Sequence, residues 1–274
     1  MSNKPYKGFE PNWLLTPAPE NSYRSIFRWG DPNFFKYPKE SLYTLMKEKF
    51  QMTDDDFKAY SDDTGFDPVE LPDHPVQLAP EHIDALRAIV GEQNLSTTDY
   101  DRLSVAYGAT AYDLLRLRHK RIDSVPDVVL YPETSEQVEQ IVAYSTEHHI
   151  PLYVYGGGSS VTRGVEPTKG GISLDMRRNF NKVISFNEID QTITVQAGMS
   201  GPDLEKTLQN APELFGAKRQ YTCGHFPQSF EYSSVGGWTV TRGAGQNSTY
   251  YGTIADIVLS QKYATPIGVI QTSH

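Results

Sequence analysis

Hydrophobic positions along the chain change period near Asp127. Before it they recur every three or four residues: Leu42, Leu45, Met46 and Phe50 within 41–50, and Ile83, Leu86, Ile89 and Val90 within 81–90, each mark one face of a helix. Thr53 is placed to cap a further helix, and Asp54, Asp55 and Asp56 suit its first turn, where carboxylates complement the positive end of the helix dipole. Pro68, Pro72, Pro75 and Pro80 punctuate a loop over 62–78, and a polar segment follows the second helix through Arg102. Residues 1 to about 40 are rich in proline and aromatics (Trp13, Tyr23, Phe27, Trp29, Phe34, Phe35, Tyr37) without a period, the pattern of an irregular arm whose rings need a surface to bury against.

After Asp127 strands and helices alternate. Residues 128–131 form a short apolar run ended by Pro132, and Thr134 with Gln137 spells a capping box for a helix carrying Val138, Ile141, Val142 and Ser145 on one face. The run 152–155 is the next strand, completing the start of a βαβ unit. Ile172, Leu174 and Met176 alternate, and 182–186 with 192–197 predict a hairpin whose Ile193, Val195 and Ala197 face inward. Ser200 caps a helix with Pro202 in its first turn and Leu204 and Leu208 directed to the core. The whole predicts an α+β fold.

Two segments interrupt this pattern with candidate chemistry. Gly156, Gly157, Gly158, Ser159 and Ser160 directly follow the strand 152–155, where glycines let successive backbone N–H groups converge on an anion and serines add hydroxyl donors. Taken alone, the cluster reads more readily as a flexible turn. Further on, Pro227-Gln-Ser-Phe-Glu-Tyr-Ser-Ser-Val-Gly-Gly-Trp-Thr-Val-Thr-Arg-Gly-Ala-Gly245 supplies a second glycine-, serine- and threonine-rich stretch. Two such stretches point to one elongated, phosphate-bearing ligand.

Composition narrows the classes. With 38% hydrophobic and 12% aromatic residues the chain can bury a real core. The net charge of -9 disfavours nucleic acid or an anionic membrane as a general partner. Cys223 is the single cysteine, which excludes an intramolecular disulfide and a cysteine-rich zinc site and makes the cytoplasm the default compartment. No apolar run reaches the ~18 residues of a membrane helix, and the N-terminus lacks a signal-peptide core, so neither a transmembrane segment nor secretion is expected. His82 falls on the polar side of its helix, and the neighbours His148 and His149 point to different faces; no metal site is expected.

The order of Pro126-Asp-Val-Val-Leu-Tyr-Pro132, the capped helix, Gly-Gly-Gly-Ser-Ser, the hairpin ending in Val-Gln-Ala-Gly198, the helix with Asp203-Leu-Glu, and Ser-Ser-Val-Gly-Gly-Trp-Thr-Val-Thr-Arg resembles the flavin-binding domain of the vanillyl-alcohol oxidase and p-cresol methylhydroxylase (PCMH) superfamily. Within it, the chain looks most like alkyldihydroxyacetonephosphate synthase and its bacterial relatives. The resemblance implies a helical, aromatic-rich extension over 1–102 and an incomplete PCMH-type FAD-binding domain over 103–274. It also implies non-covalent FAD, because the first glycine loop has no histidine for attachment.

By the same resemblance Val154, Tyr155, Gly156, Gly157, Gly158, Ser159 and Ser160 would wrap the FAD pyrophosphate. Gln228, Ser229, Phe230, Glu231, Tyr232, Ser233 and Ser234 would run beside the flavin and its ribityl chain. Gly237, then Thr241, Arg242, Gly243 and Ala244, would form the next cofactor-contacting stretch, with Ile254 near the adenine through its backbone. Residues 251–258 resemble the strand leading out of this region. The residues also admit plainer roles: Gly236 and Gly237 as a tight bend, Trp238 as core, Glu231 as a surface carboxylate, and Arg242 paired with an internal carboxylate. Cys223 and His225, beside Gly224, stand close enough in sequence to approach the flavin, while burial as a structural thiol is the other reading of Cys223.

The activity implied exchanges the acyl group of acyl-dihydroxyacetone phosphate for a fatty alcohol in ether-lipid synthesis, with FAD as an electrophile and a small-molecule or lipid substrate. Relatives of the D-lactate or glycolate dehydrogenase type instead pass a hydride to the same flavin, and a non-catalytic flavin-binding fragment is the third reading. In the family the substrate-handling residues follow the flavin domain, so the catalytic residues are expected beyond His274. The complete protein is expected to be a homodimer.

Overall fold

The computed structural model describes residues 18–26, 39–58 and 65–272; of the arm's aromatics only Tyr23 falls among them, while Trp13, Phe27, Trp29, Phe34, Phe35 and Tyr37 lie outside the described residues. In chain order come the helices α1 (Tyr23–Ile26), α2 (Glu40–Phe50), α3 (Asp54–Lys58) and α4 (Pro80–Val90), the strand β1 (Leu95–Ser96), and the helices α5 (Asp99–Ser104) and α6 (Ala111–Arg118). Next are β2 (Val128–Leu130), α7 (Ser135–Glu147), β3 (Leu152–Tyr155), β4 (Ile172–Asp175), β5 (Val183–Asn187) and β6 (Thr192–Val195). The last are α8 (Gly201–Gln209), α9 (Ala211–Phe215), α10 (Val235–Thr241), α11 (Ser248–Tyr251), α12 (Ile254–Ile257), β7 (Lys262–Thr265) and β8 (Gly268–Gln271).

Internal contacts divide the chain into two compact units, Met1–Glu70 with Ala111–Ile122, and Leu71–Thr110 with Asp123–His274. The boundary expected after residue 102 falls inside α5, in the second unit. In the first unit α2 forms where helical spacing predicts it, although Leu42, Leu45 and Phe50 stay exposed. Thr53 caps α3 as expected: its hydroxyl accepts from the Asp56 N–H at 3.3 Å and its own N–H donates to the Asp56 carboxylate at 2.7 Å. Those bonds hold the Asp56 carboxyl below the usual carboxylate range.

The second unit is built on a sheet of order β1-β2-β4-β3, with β4 parallel to both neighbours and β1 antiparallel at one edge. Val128 and Leu130 of β2 pair with Ile172 and Leu174 of β4. Their side chains join Leu86 and Val90 of α4 and Ile141 of α7 in one core. Val129 points to the opposite face, into a smaller cluster with Val105, Tyr131 and Tyr155. The antiparallel pair β5-β6, α8, α10 and α12 surround another core of Met199, Leu204, Leu208, Trp238 and Ile254.

Three expectations need correction. The segment read as merely polar up to Arg102 contains β1 and α5, and Arg102 is buried rather than solvated. At α7 the Thr134 hydroxyl accepts from the Gln137 N–H, but the Gln137 side chain accepts from the Glu133 N–H instead of the cap residue's own, so the box is offset by one residue. Residues 251–258 contain the helix α12 instead of a strand, because Thr253 and Asp256 close a reciprocal capping box.

Candidate cofactor site

β3 delivers the chain into the first glycine loop at the C-terminal edge of the parallel strands, where open α/β sheets hold their ligands. Tyr155, its last residue, is buried, with the hydroxyl donating to the Tyr107 carbonyl at 3.4 Å. Gly158 lies against that ring with φ of +72°, where a Cβ would come within 2.1 Å of the Tyr155 hydroxyl oxygen. A Cβ on Gly156 would lie 2.5 Å from Ser234 Oγ, and one on Gly157 only 2.0 Å from the Tyr232 carbonyl oxygen and 2.4 Å from Ser233 Cα. The two glycine- and serine-rich stretches are therefore in direct contact. Glycine at 157 has a packing cause, because a side chain would meet backbone and drive the loops apart, and one at 156 would displace the Ser234 hydroxyl.

The donors of this loop carry a separate message. Among the described residues no acceptor meets the backbone N–H groups of residues 156–160, nor the hydroxyls of Ser159 and Ser160. All five residues are partly exposed. Backbone N–H groups in folded proteins are paired with protein, water or ligand, so consecutive acceptorless donors fit an anion with several oxygens. Such a set of donors suits the phosphates of FAD.

The second stretch divides by role. Ser234 caps α10, its hydroxyl accepting from the Gly237 N–H at 3.3 Å. Ser233 donates its hydroxyl to the Ser229 carbonyl at 2.7 Å and accepts from the indole N–H of Trp238 at 2.6 Å. Trp238 is core, stacked with Phe230 at a ring separation of 6.0 Å. Gln228 and Glu231 are exposed, and Ser229 and Tyr232 are half-buried. Thr241 is exposed, and its hydroxyl bonds back to its own helix, donating to the Gly237 carbonyl at 2.7 Å.

Arg242 ends α10 in the left-handed conformation, φ 53°, exposed and with no carboxylate partner among the described residues, so the internal ion pair considered for it is not formed. Gly243 receives the Ile254 N–H on its carbonyl at 3.1 Å, and the Ile254 carbonyl accepts from the Val258 N–H at 3.0 Å. Ile254 is buried in the core with Trp238 and meets Gly243 through its backbone. Ala244 is exposed beside it, and Val154 is exposed at the entry to the first loop.

Cys223 and His225 lie behind α10. The Cys223 thiol donates to the His225 carbonyl at 3.4 Å, and burial pushes it up to about 12, which suits a structural thiol. His225 is 1% exposed, packs edge-on to Trp238 at 4.9 Å, and neither ring nitrogen has a hydrogen-bond partner among the described residues. Burial holds its imidazole below the ordinary histidine value. The unfolded chain then takes up a proton below about pH 6.5 that the folded chain refuses, so stability is present above that pH and is lost as the pH falls below it. Melting temperatures from pH 7.5 down to 5 should decline in wild type and decline less in His225→Asn; parallel curves would refute this.

Sequence reasoning passed over two cationic side chains at the end of β4. Arg177 is held bidentate by the buried Asp175, Nε to Oδ1 at 2.9 Å and Nη2 to Oδ2 at 2.6 Å, and its guanidinium lies 4.6 Å from the centre of the Tyr155 ring. Arg178 lies 4.7 Å from the centre of the Tyr131 ring and meets no carboxylate among the described residues. Adjacent arginines at the C-terminal end of an apolar strand were the available signal.

A family model described as FAD binding domain matches residues 126–273. The chain belongs to this family. FAD is its cofactor, and the matched range contains both glycine-rich stretches and the whole β2-α7-β3-β4 scaffold. The chain is 30% identical over 245 residues to an alkyldihydroxyacetonephosphate synthase of Dictyostelium discoideum, covering 88% of this chain and 39% of that protein. It is 30% identical over 198 residues to a mitochondrial D-lactate dehydrogenase [cytochrome] of Arabidopsis thaliana, covering 72% of this chain and 32% of the relative. A solved alkyldihydroxyacetonephosphate synthase superposes with a TM-score of 0.68 at 32% identity, over 73% of this chain and 39% of that one. The chain thus spans about three to four tenths of the length of the synthases it matches. The FAD-binding fold expected from the motifs is the fold observed. No helix among the described residues is long and apolar enough to cross a membrane.

Proposed function

We propose that the chain is the FAD-holding part of a flavoenzyme of the alkyldihydroxyacetonephosphate synthase kind, acting on a phosphate-bearing lipid precursor in ether-lipid synthesis. The observation that carries the cofactor site is the row of acceptorless donors at 156–160 packed against 232–234. In this reading those N–H groups and the Ser159 and Ser160 hydroxyls bind phosphate oxygens, residues 228–234 and 237 flank the flavin, and Arg242 faces solvent or ligand charge. FAD supplies an electrophilic, hydride-accepting ring system. The chain's own part is to bind and orient it, non-covalently, through a domain that begins near residue 103. The similarity to the synthase over 88% of the chain supports the substrate class, and a cytoplasmic setting accords with a single half-buried cysteine.

The likeness to a D-lactate dehydrogenase at the same identity supports a second reading, hydride transfer from a 2-hydroxy acid. Titrating the purified protein into FAD should quench flavin fluorescence saturably at one equivalent; no saturable quenching would remove the cofactor reading. The chain alone is expected to bind FAD without turnover; in a protein that also carries the substrate-handling residues expected beyond His274, the synthase reading expects incorporation of a labelled long-chain alcohol from acyl-dihydroxyacetone phosphate and no anaerobic bleaching by D-lactate. Bleaching without incorporation would replace it with the dehydrogenase.

A further inference from the structure

The glycine loop offers dipoles but no cation: residues 154–160 contain neither lysine nor arginine, and the next arginine, Arg163, is paired with the buried Glu166 at 2.6 Å. A diphosphate at neutral pH carries full negative charge, and in a protein of net charge -9 it needs local compensation. β4 lies between β2 and β3, so the residues that leave it emerge between Tyr131, next after β2, and the glycine loop, next after β3. Those residues include Arg177 and Arg178.

Gly158 and the Arg177 guanidinium contact the same Tyr155 ring, Gly158 at its hydroxyl end and Arg177 over its centre at 4.6 Å. The cation and the Gly158 turn of the loop therefore lie against one and the same ring. Asp175 fixes its direction, binding Nε and Nη2, while Nη1 meets no acceptor among the described residues. Arg178, over the Tyr131 ring, has no hydrogen-bond acceptor for its fork among the described residues. Asp175 offsets the charge of Arg177, so the net positive charge at this edge comes from Arg178, while Arg177 contributes oriented donors.

We propose that Arg177, positioned by Asp175, and Arg178 bind the diphosphate of FAD and complete the anion site begun by the glycine loop. This rests on the cofactor reading above, and the experiment separates the two. FAD and riboflavin, which has the same ring but no phosphate, are titrated into wild type, Arg177→Gln/Arg178→Gln and Arg177→Lys/Arg178→Lys, with melting temperatures recorded for each. The double glutamine variant should bind FAD about tenfold more weakly, with riboflavin unchanged and a flatter salt dependence. The double lysine variant should recover part of the loss.

Unchanged FAD affinity, or an equal loss for FAD and riboflavin, overturns the proposal while leaving the cofactor reading intact. Wild type that takes no FAD overturns both. Should the double variant melt early, Arg178→Gln alone removes an exposed side chain that has no hydrogen-bond or ion-pair partner among the described residues, and it should still weaken FAD about threefold without affecting riboflavin; an unchanged affinity there counts against the proposal equally.

Discussion

Gly157→Val should cost about 3 kcal/mol of stability and abolish measurable FAD retention. The first atom of any side chain at this position would sit 2.0 Å from the Tyr232 carbonyl oxygen and 2.4 Å from Ser233 Cα, so the obstruction is backbone on both sides and no rotamer relieves it. The loops must separate, and separation carries Ser234 away from Gly156 and disturbs the cap of α10. Gly164 is the internal control, since a Cβ there meets nothing within 4 Å, and Gly164→Ala should melt as wild type does. Calorimetry of the two variants beside FAD titration decides it. A Gly157→Val protein with wild-type melting and affinity would show that the loops are not in contact in solution.

Arg102→Ala should destabilise the second unit by about 2–5 kcal/mol, the cost of leaving its hydrogen-bond partners without their donors. The side chain is almost fully buried and serves three groups: Nε donates to the Pro126 carbonyl at 2.7 Å, Nη2 to the His74 carbonyl at 2.8 Å, and Nη1 to the Asp99 carboxylate at 3.3 Å. Asp99 in turn accepts from the Leu71 N–H at 2.9 Å. Truncation leaves two carbonyls and a carboxylate short of donors where burial already opposes charge on the guanidinium. Arg102→Lys should recover little, because an ammonium cannot reach in the three directions of the fork. Urea unfolding of the three proteins measures this, and a shift under 1 kcal/mol for the alanine variant would mean that the network is solvated.

What the sequence discloses and what it hides divide along physical lines. Helices with an apolar period, such as α4 and α7, are legible because burial selects one face, and β2 is legible because burial on both faces makes it a continuous apolar run. α5 is not: its core-facing residues include Arg102, a charged side chain that pattern reasoning sends to solvent. α12 was missed for a different reason, since it is a short helix held by the Thr253 and Asp256 cap and not by a long stripe. At the site, the glycines were read as phosphate cradles, and the acceptorless N–H groups fit that reading. The contact of Gly157 with Tyr232 and Ser233 lay beyond reach, because it joins positions far apart in the chain and depends on backbone atoms that every residue has. Arg177 was hidden likewise: its meaning depends on β4 lying beside β3, a fact of topology.

That topology bears on the order in which the molecule is made. β2 and β3 are joined through α7 but share no hydrogen bonds; the strand that bridges them, β4, comes later in the chain and must slot into the gap. Sequential zippering of neighbouring strands cannot build such a sheet, and pairings between distant positions slow the search for the native state. The connector between β3 and β4 is the stretch that contains the glycine loop. Its two ends come to rest on adjacent strands only when β4 is seated, so the ligand-holding turn takes its final shape at the same moment as the sheet, and a nascent chain has no cofactor pocket to offer until synthesis has passed Asp175.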